Sequence, residues 1–100
     1  MPAYVIVLRE EPVQDPEAFA EYQSRTRKIA PNPTLIPRVI YGQTEGLEGE
    51  APDGMIMLEF PTMEEAKAWY NNPDYQAALP YRLQSARWRA FIVEGLPSAK

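Results

Sequence analysis

Two short runs constrain this chain more than anything else in it. "YVIVL", residues 4–8, and "MIMLEF", residues 55–60, are apolar on both parities, Glu59 apart. A strand points successive side chains to opposite faces, so a run that is apolar on both has both faces covered. Neither run approaches the ~18 apolar residues of a membrane span. They read as strands buried on both faces, and what surrounds them must supply two covers.

The rest of the chain supplies one. "AYVIVLR" is followed by a turn and a helix whose N-terminus is marked by Asp15 as cap, Pro16 at the first helical position and Glu17 in the first turn. Phe19, Tyr22, Thr26 and Ile29 recur at helical spacing, Arg25, Arg27 and Lys28 favour the C-terminal end, and "APNPT" stops the helix. "IPRVIYGQTEGLEG" predicts a second strand, bent or bulged at Gly42, and "EGEAPDG" a hairpin turn into the third. Pro61 ends that strand. Thr62 with Glu65 three residues on is a capping box, and Met63, Ala66, Trp69 and Tyr70 give the helix it opens an apolar face. Asn72 caps a second segment beginning at Pro73, with Tyr75, Ala78, Leu79, Arg82 and Leu83 as its stripe, and Pro80 is expected to distort or split it. "RWRAFIVEG" is the last strand and "LPSAK", residues 96–100, a loose tail. The order β-α-β-β-α-β predicts an α+β, ferredoxin-like protomer with a four-stranded antiparallel sheet, one domain over residues 1–100.

In such a fold both helical segments cover the same sheet face. The other face of "YVIVL" and "MIMLEF" would then stand open, more apolar surface than a monomer tolerates. The expected second cover is another copy of the chain, two sheets packed face to face in a homodimer.

Composition narrows the chemistry. A net charge of −4 and a pI near 4.8 argue against a nucleic-acid partner, which needs a cationic face. Without cysteine or histidine the chain has no thiolate and lacks the usual zinc ligands and triad base. The acids at 10–11 and 45–50 lack calcium-loop spacing, and no glycine-rich phosphate loop follows a strand, so neither metal nor cofactor is expected. "AYVIVL" is too short for a signal peptide, and a cytoplasmic location is expected on that ground, with no membrane partner.

"AYVIV", "DPEAFAEY" and above all "LEFPTMEEAKAWYNNPDYQAALPYR" resemble the domain-of-unknown-function family numbered thirteen-thirty, within the dimeric α/β-barrel superfamily. The resemblance covers nearly the whole chain. It implies a ferredoxin-like protomer, a dimeric α/β barrel made of two sheets, and small-molecule pockets beside the sheet, but no assigned reaction. Family members often carry a glycine pair between first helix and second strand. This chain has "APNPTLIPRVIYG" instead, a stiffer loop that would reshape any pocket it lines.

Candidate site residues follow from position. Glu59, alone among apolar neighbours, would have its pKa raised by burial and serve as general base or acid; an edge carboxylate paired with an arginine is the plainer reading. Arg82 shares an inward stripe and could hold a substrate carboxylate, or pair internally with Asp74, Glu59 or Glu94. Arg38 could serve the same end. Trp69, Tyr70 and Tyr75 at helical spacing read first as core, with a pocket rim as the alternative, and Tyr4, Tyr22 and Tyr41 could extend that lining. Three functions stay open: a cofactor-independent enzyme, oxygenase- or isomerase-like, acting on a small anionic or aromatic metabolite; a non-catalytic small-molecule binding module; and a structural homodimer. Superfamily relatives implied by the resemblance often use a histidine, which this chain lacks.

Overall fold

The computed structural model describes residues 1–97. Seven elements follow in the expected order: β1 (Ala3–Arg9), α1 (Pro16–Arg27), β2 (Ile36–Ile40), β3 (Gly54–Phe60), α2 (Met63–Tyr70), α3 (Pro73–Ser85) and β4 (Trp88–Glu94). The strands form one antiparallel sheet in the order β2-β3-β1-β4, with the two doubly apolar runs side by side in the middle. The end of the tail expected over 96–100 lies outside the described residues.

Helix starts are set locally, as their sequences indicate. The Ala18 N–H donates to Asp15 Oδ1 at 3.0 Å, Glu65 N–H to Thr62 Oγ1 at 3.1 Å, and Asp74 N–H to Asn72 Oδ1 at 2.8 Å. Each bond satisfies one of the free donors of a first turn. Three expectations are corrected. Pro80 does not split the last helix, which runs unbroken from Pro73 to Ser85. Pro80 lies on the exposed side, while Tyr75, Ala78, Leu79 and Arg82 hold both halves inward. Leu83, assigned to that stripe, is exposed instead. The irregularity expected at Gly42 falls earlier, as a bulge between Pro37 and Val39 and a left-handed Tyr41 at φ 53°.

Pairing register separates the two faces. Ala3, Val5 and Val7 stand beside Phe60, Leu58 and Ile56 and, across β4, beside Glu94, Ile92 and Ala90. This face carries the helices, and Ala3, Val5, Val7, Leu58, Phe60 and Ala66 form its buried cluster. Tyr4, Ile6 and Leu8 project the other way, beside Glu59, Met57, Met55, Phe91 and Val93. No helix among the described residues covers that second face, and Ile36, Phe91 and Val93 are 42–43% exposed on it.

The helices do not cover their own face evenly. α2 lies on β1, β3 and β4, whereas α1 packs chiefly against α3. Space is left between the α1–α3 pair and the β2 side of the sheet.

Candidate functional site

That space is a cavity of about 730 Å³. Its floor is Val7, Ile56 and Leu58 with Pro37 and Ile40 of β2; Tyr22 and Thr26 of α1, Trp69 of α2, and Tyr75 and Arg82 of α3 close over it. Ile29, Ala30, Pro31, Asn32 and Leu35 of the prolyl loop make the wall. Asn32 Oδ1 braces that wall by accepting from the Thr34 N–H at 2.9 Å and the Thr34 hydroxyl at 2.8 Å. The volume falls in the range of small-molecule sites, roughly 300–1,000 Å³, and the lining is mostly aliphatic and aromatic.

One charged group lies in it. Arg82 is 2% exposed, and its Nε and Nη1 have no hydrogen-bond partner. No ion pair among the described residues involves it; the internal pairing with Asp74, Glu59 or Glu94 that its sequence position allowed is absent. Its guanidinium instead stands 5.9 Å from the Tyr22 ring centroid and 5.1 Å from that of Trp88. Such cation–π contacts offset part of the desolvation cost of a buried charge, and a charge-assisted hydrogen bond to an anion would offset more. Arg82 points inward because it follows Tyr75, Ala78 and Leu79 at helical spacing, and no carboxylate among the described residues meets it.

The aromatic group around Arg82 is continuous. The Tyr22 and Tyr75 hydroxyls are hydrogen-bonded at 3.0 Å, their rings meet edge to face, and Trp69 lies 4.6 Å from Tyr75 and 5.7 Å from Phe60. Burial, with the neighbouring Tyr75 second, pushes the Tyr22 phenol far above its ordinary pKa, so it stays protonated. In a hydroxyl pair one oxygen donates to the other, and the second hydrogen is free to point at a ligand. Trp69, Tyr22 and Tyr75 therefore serve the core and the cavity at once. Tyr70 packs 5.7 Å from Tyr75 but lies outside the lining.

The remaining candidates assemble elsewhere. Glu59 is on the opposite sheet face, opposite Tyr4, and accepts from Arg38 Nε at 2.8 Å. The two side chains are 21% and 50% exposed, so this is a partly solvated pair of the plainer kind. A shallower recess of about 400 Å³ touches Glu59, Thr34 and Ile36 at that edge. The sequence candidates thus fall into two groups separated by the sheet: Arg82, Tyr22, Trp69 and Tyr75 in the cavity, and Glu59, Arg38 and Tyr4 outside it.

Three residues that sequence reasoning missed or underrated, Arg9, Gly54 and Tyr41, lie next to one another outside the cavity lining. Arg9 continues the inward parity of Val5 and Val7, and its guanidinium lies 5.9 Å from the Tyr41 ring and 5.7 Å from the Trp88 ring. Gly54 beneath makes this possible: a Cβ there would stand 3.3 Å from Arg9 Cζ and from the Tyr41 ring. The left-handed turn at Tyr41, of order 1 kcal/mol in strain, is what brings its ring back over the strand. Burial raises the Tyr41 pKa, with Arg9 and Arg82 both opposing the rise. A cation on the inward parity of β1 was the available signal, but with both parities apolar the inward one could not be told from sequence.

A ferredoxin-like α+β domain with a cavity between sheet and helices is the class these features define. The chain belongs to the family described as Domain of unknown function (DUF1330), which matches residues 2–96. Among solved structures it is similar to an ethyl tert-butyl ether d (EthD) family protein from Bacillus halodurans, at 21% identity and TM-score 0.62, covering 96% of this chain and 100% of that one. A dimeric ferredoxin-like protein of unknown function from Thermobifida fusca matches at 20% identity and TM-score 0.63, covering 93% and 90%. A dimeric protein of unknown function and ferredoxin-like fold from Bacteroides fragilis matches at 19% identity and TM-score 0.55, covering 94% and 96%. No curated protein matches. These likenesses support the fold; none carries a reaction. Among the described residues no helix is long and apolar enough to cross a membrane, and no group of three acids, histidines or cysteines could hold a metal ion.

Proposed function

We propose that the protein is a homodimeric binding protein for a small organic acid, held in the cavity with its carboxylate on Arg82 and its apolar body against Ile29, Leu35 and Ile56. The observation that carries this is the buried guanidinium without a partner. A charge so placed is costly unless an anion meets it. The bonded Tyr22–Tyr75 hydroxyls supply a neutral donor nearby, and most of the surrounding lining is apolar.

Binding is favoured over proton-transfer catalysis by the same lining. It holds no carboxylate or histidine to serve as general base, and burial keeps the Tyr22 phenol protonated. Glu59 is assigned to the dimer face rather than to chemistry. The second sheet face carries Ile6, Leu8, Met55, Met57, Phe91 and Val93, and burying it against another copy contributes about 2.5 kcal/mol per 100 Å². The dimeric state described for two of the similar structures supports that arrangement.

A matched pair of ligands tests the anion reading. 3-Phenylpropanoate at ten times its Kd is expected to raise the melting temperature by about 5 °C, and 3-phenylpropanamide, equal in shape and uncharged, to leave it unmoved. Equal shifts from both, or none from the acid, would overturn the assignment to Arg82.

A further inference from the structure

Arg82 is not the only guanidinium at this end of the molecule without a carboxylate. Arg9 donates from Nε to the Glu11 carbonyl at 3.1 Å and from Nη2 to the Asp53 carbonyl at 3.0 Å, both neutral acceptors. The acids beside it in sequence are engaged elsewhere. Glu11 accepts from the Arg87 backbone N–H at 2.8 Å and from its Nη1 at 3.3 Å, and Glu10 accepts from Arg89 Nη1 at 3.4 Å. No ion pair among the described residues involves Arg9. Its backbone bonds fix the guanidinium without neutralising it, and its Nη1 makes no hydrogen bond there.

Arg9 and Arg82 lie against the same indole, 5.7 and 5.1 Å from the Trp88 ring. Arg9 stands one inward position beyond Val7 on β1, and Val7 and Ile56 are cavity floor. In a chain of net charge −4, two cations without a carboxylate partner among the described residues lie against one aromatic side chain, one of them inside the cavity. Like charges repel, most strongly where one of them is buried, and two guanidinium charges without carboxylate partners are balanced by two acidic groups.

We propose that the ligand carries two acidic groups, the first on Arg82 inside the cavity and the second on the free edge of Arg9, with the Trp88 ring beside both. The ligand class is then a dicarboxylate with an apolar or aromatic substituent. This rests on the carboxylate reading of Arg82 and specifies it further. The second acid needs no proton transfer: both groups bind ionised, and the two guanidinium charges balance them.

Phenylsuccinate and 3-phenylpropanoate differ by one carboxylate and make the test. By calorimetric titration at fixed ionic strength, the diacid is expected to bind wild type at least about tenfold more tightly than the monoacid. Arg9→Gln should bring the diacid down to the monoacid's Kd while leaving the monoacid unchanged. Arg9→Lys, which keeps a cation and one carbonyl bond, should retain part of the difference and guards against a folding defect in the first variant. Equal affinities for the two acids in wild type, or a preference that survives Arg9→Gln, would overturn the second subsite while leaving Arg82 its ligand. Loss of neither ligand on Arg82→Met would overturn both readings together.

Discussion

Arginine placement separates what this chain does from what it merely tolerates. Arg25, Arg38, Arg87 and Arg89 each meet a carboxylate in a solvated pair, the kind worth about 0–1 kcal/mol. Among the described residues Arg82 and Arg9 meet none, and both face aromatic rings. Arg82 was legible as an inward residue from the spacing of Tyr75, Ala78 and Leu79, but its lack of a partner was not, because Asp74, Glu59 and Glu94 were all within reach of a sequence argument. Glu59 shows the converse: its apolar neighbours in "MIMLEF" suggested burial, yet a one-residue choice of parity puts it on the other face, against Arg38. Tyr22 makes a prediction at this scale. Its phenol is protonated in the folded protein at pH values where the unfolded chain's tyrosine, near 10.0, ionises. Between the two pKa values the native state binds more protons, so the stability linked to Tyr22 is intact below pH 10 and falls as pH rises above it. Melting curves from pH 8 to 11 should show wild type losing more than Tyr22→Phe. Parallel losses would contradict the buried, raised phenol.

Elements were the most readable level, because their ends are written in short-range chemistry. Asp15–Pro16, Thr62–Glu65 and Asn72–Pro73 each place a side-chain acceptor where a first turn has free N–H groups, and all three caps form. Where a local rule met tertiary packing, packing prevailed. Pro80 withdraws one backbone donor and crowds the preceding turn, but α3 continues because Tyr75 on one side of it and Arg82 on the other are both buried. Its cost is therefore present and unrelieved. Pro80→Ala is expected to stabilise the protein by about 2 kcal/mol, read as a higher urea midpoint at unchanged slope. A lower midpoint would mean that the proline stiffens the unfolded chain by more than it strains the helix. The wall loop was legible as stiff from its prolines. That Pro31, Leu35 and Pro37 turn toward one cavity was not, since that depends on how far the α1–α3 pair stands from the sheet.

For the whole molecule, the two doubly apolar strands demand two covers, and the single chain supplies one. Helices and cavity occupy the first face; Ile36, Phe91 and Val93 remain exposed on the second. That asymmetry was visible in the sequence, because neither parity of "YVIVL" or "MIMLEF" is polar enough to face water. The cavity was not, because volume arises from the mismatch between elements and no residue pattern encodes a gap. The proposed binding and dimerisation would use opposite faces of one sheet, and a ligand on Arg82 would not compete with the partner. Native mass spectrometry of the protein mixed with 3-phenylpropanoate examines both at once. Wild type is predicted to appear as a dimer of the 11.4 kDa chain carrying up to one acid per protomer, and Arg82→Met as the same dimer without it. A monomer, or a dimer whose acid is retained by Arg82→Met, would contradict the account.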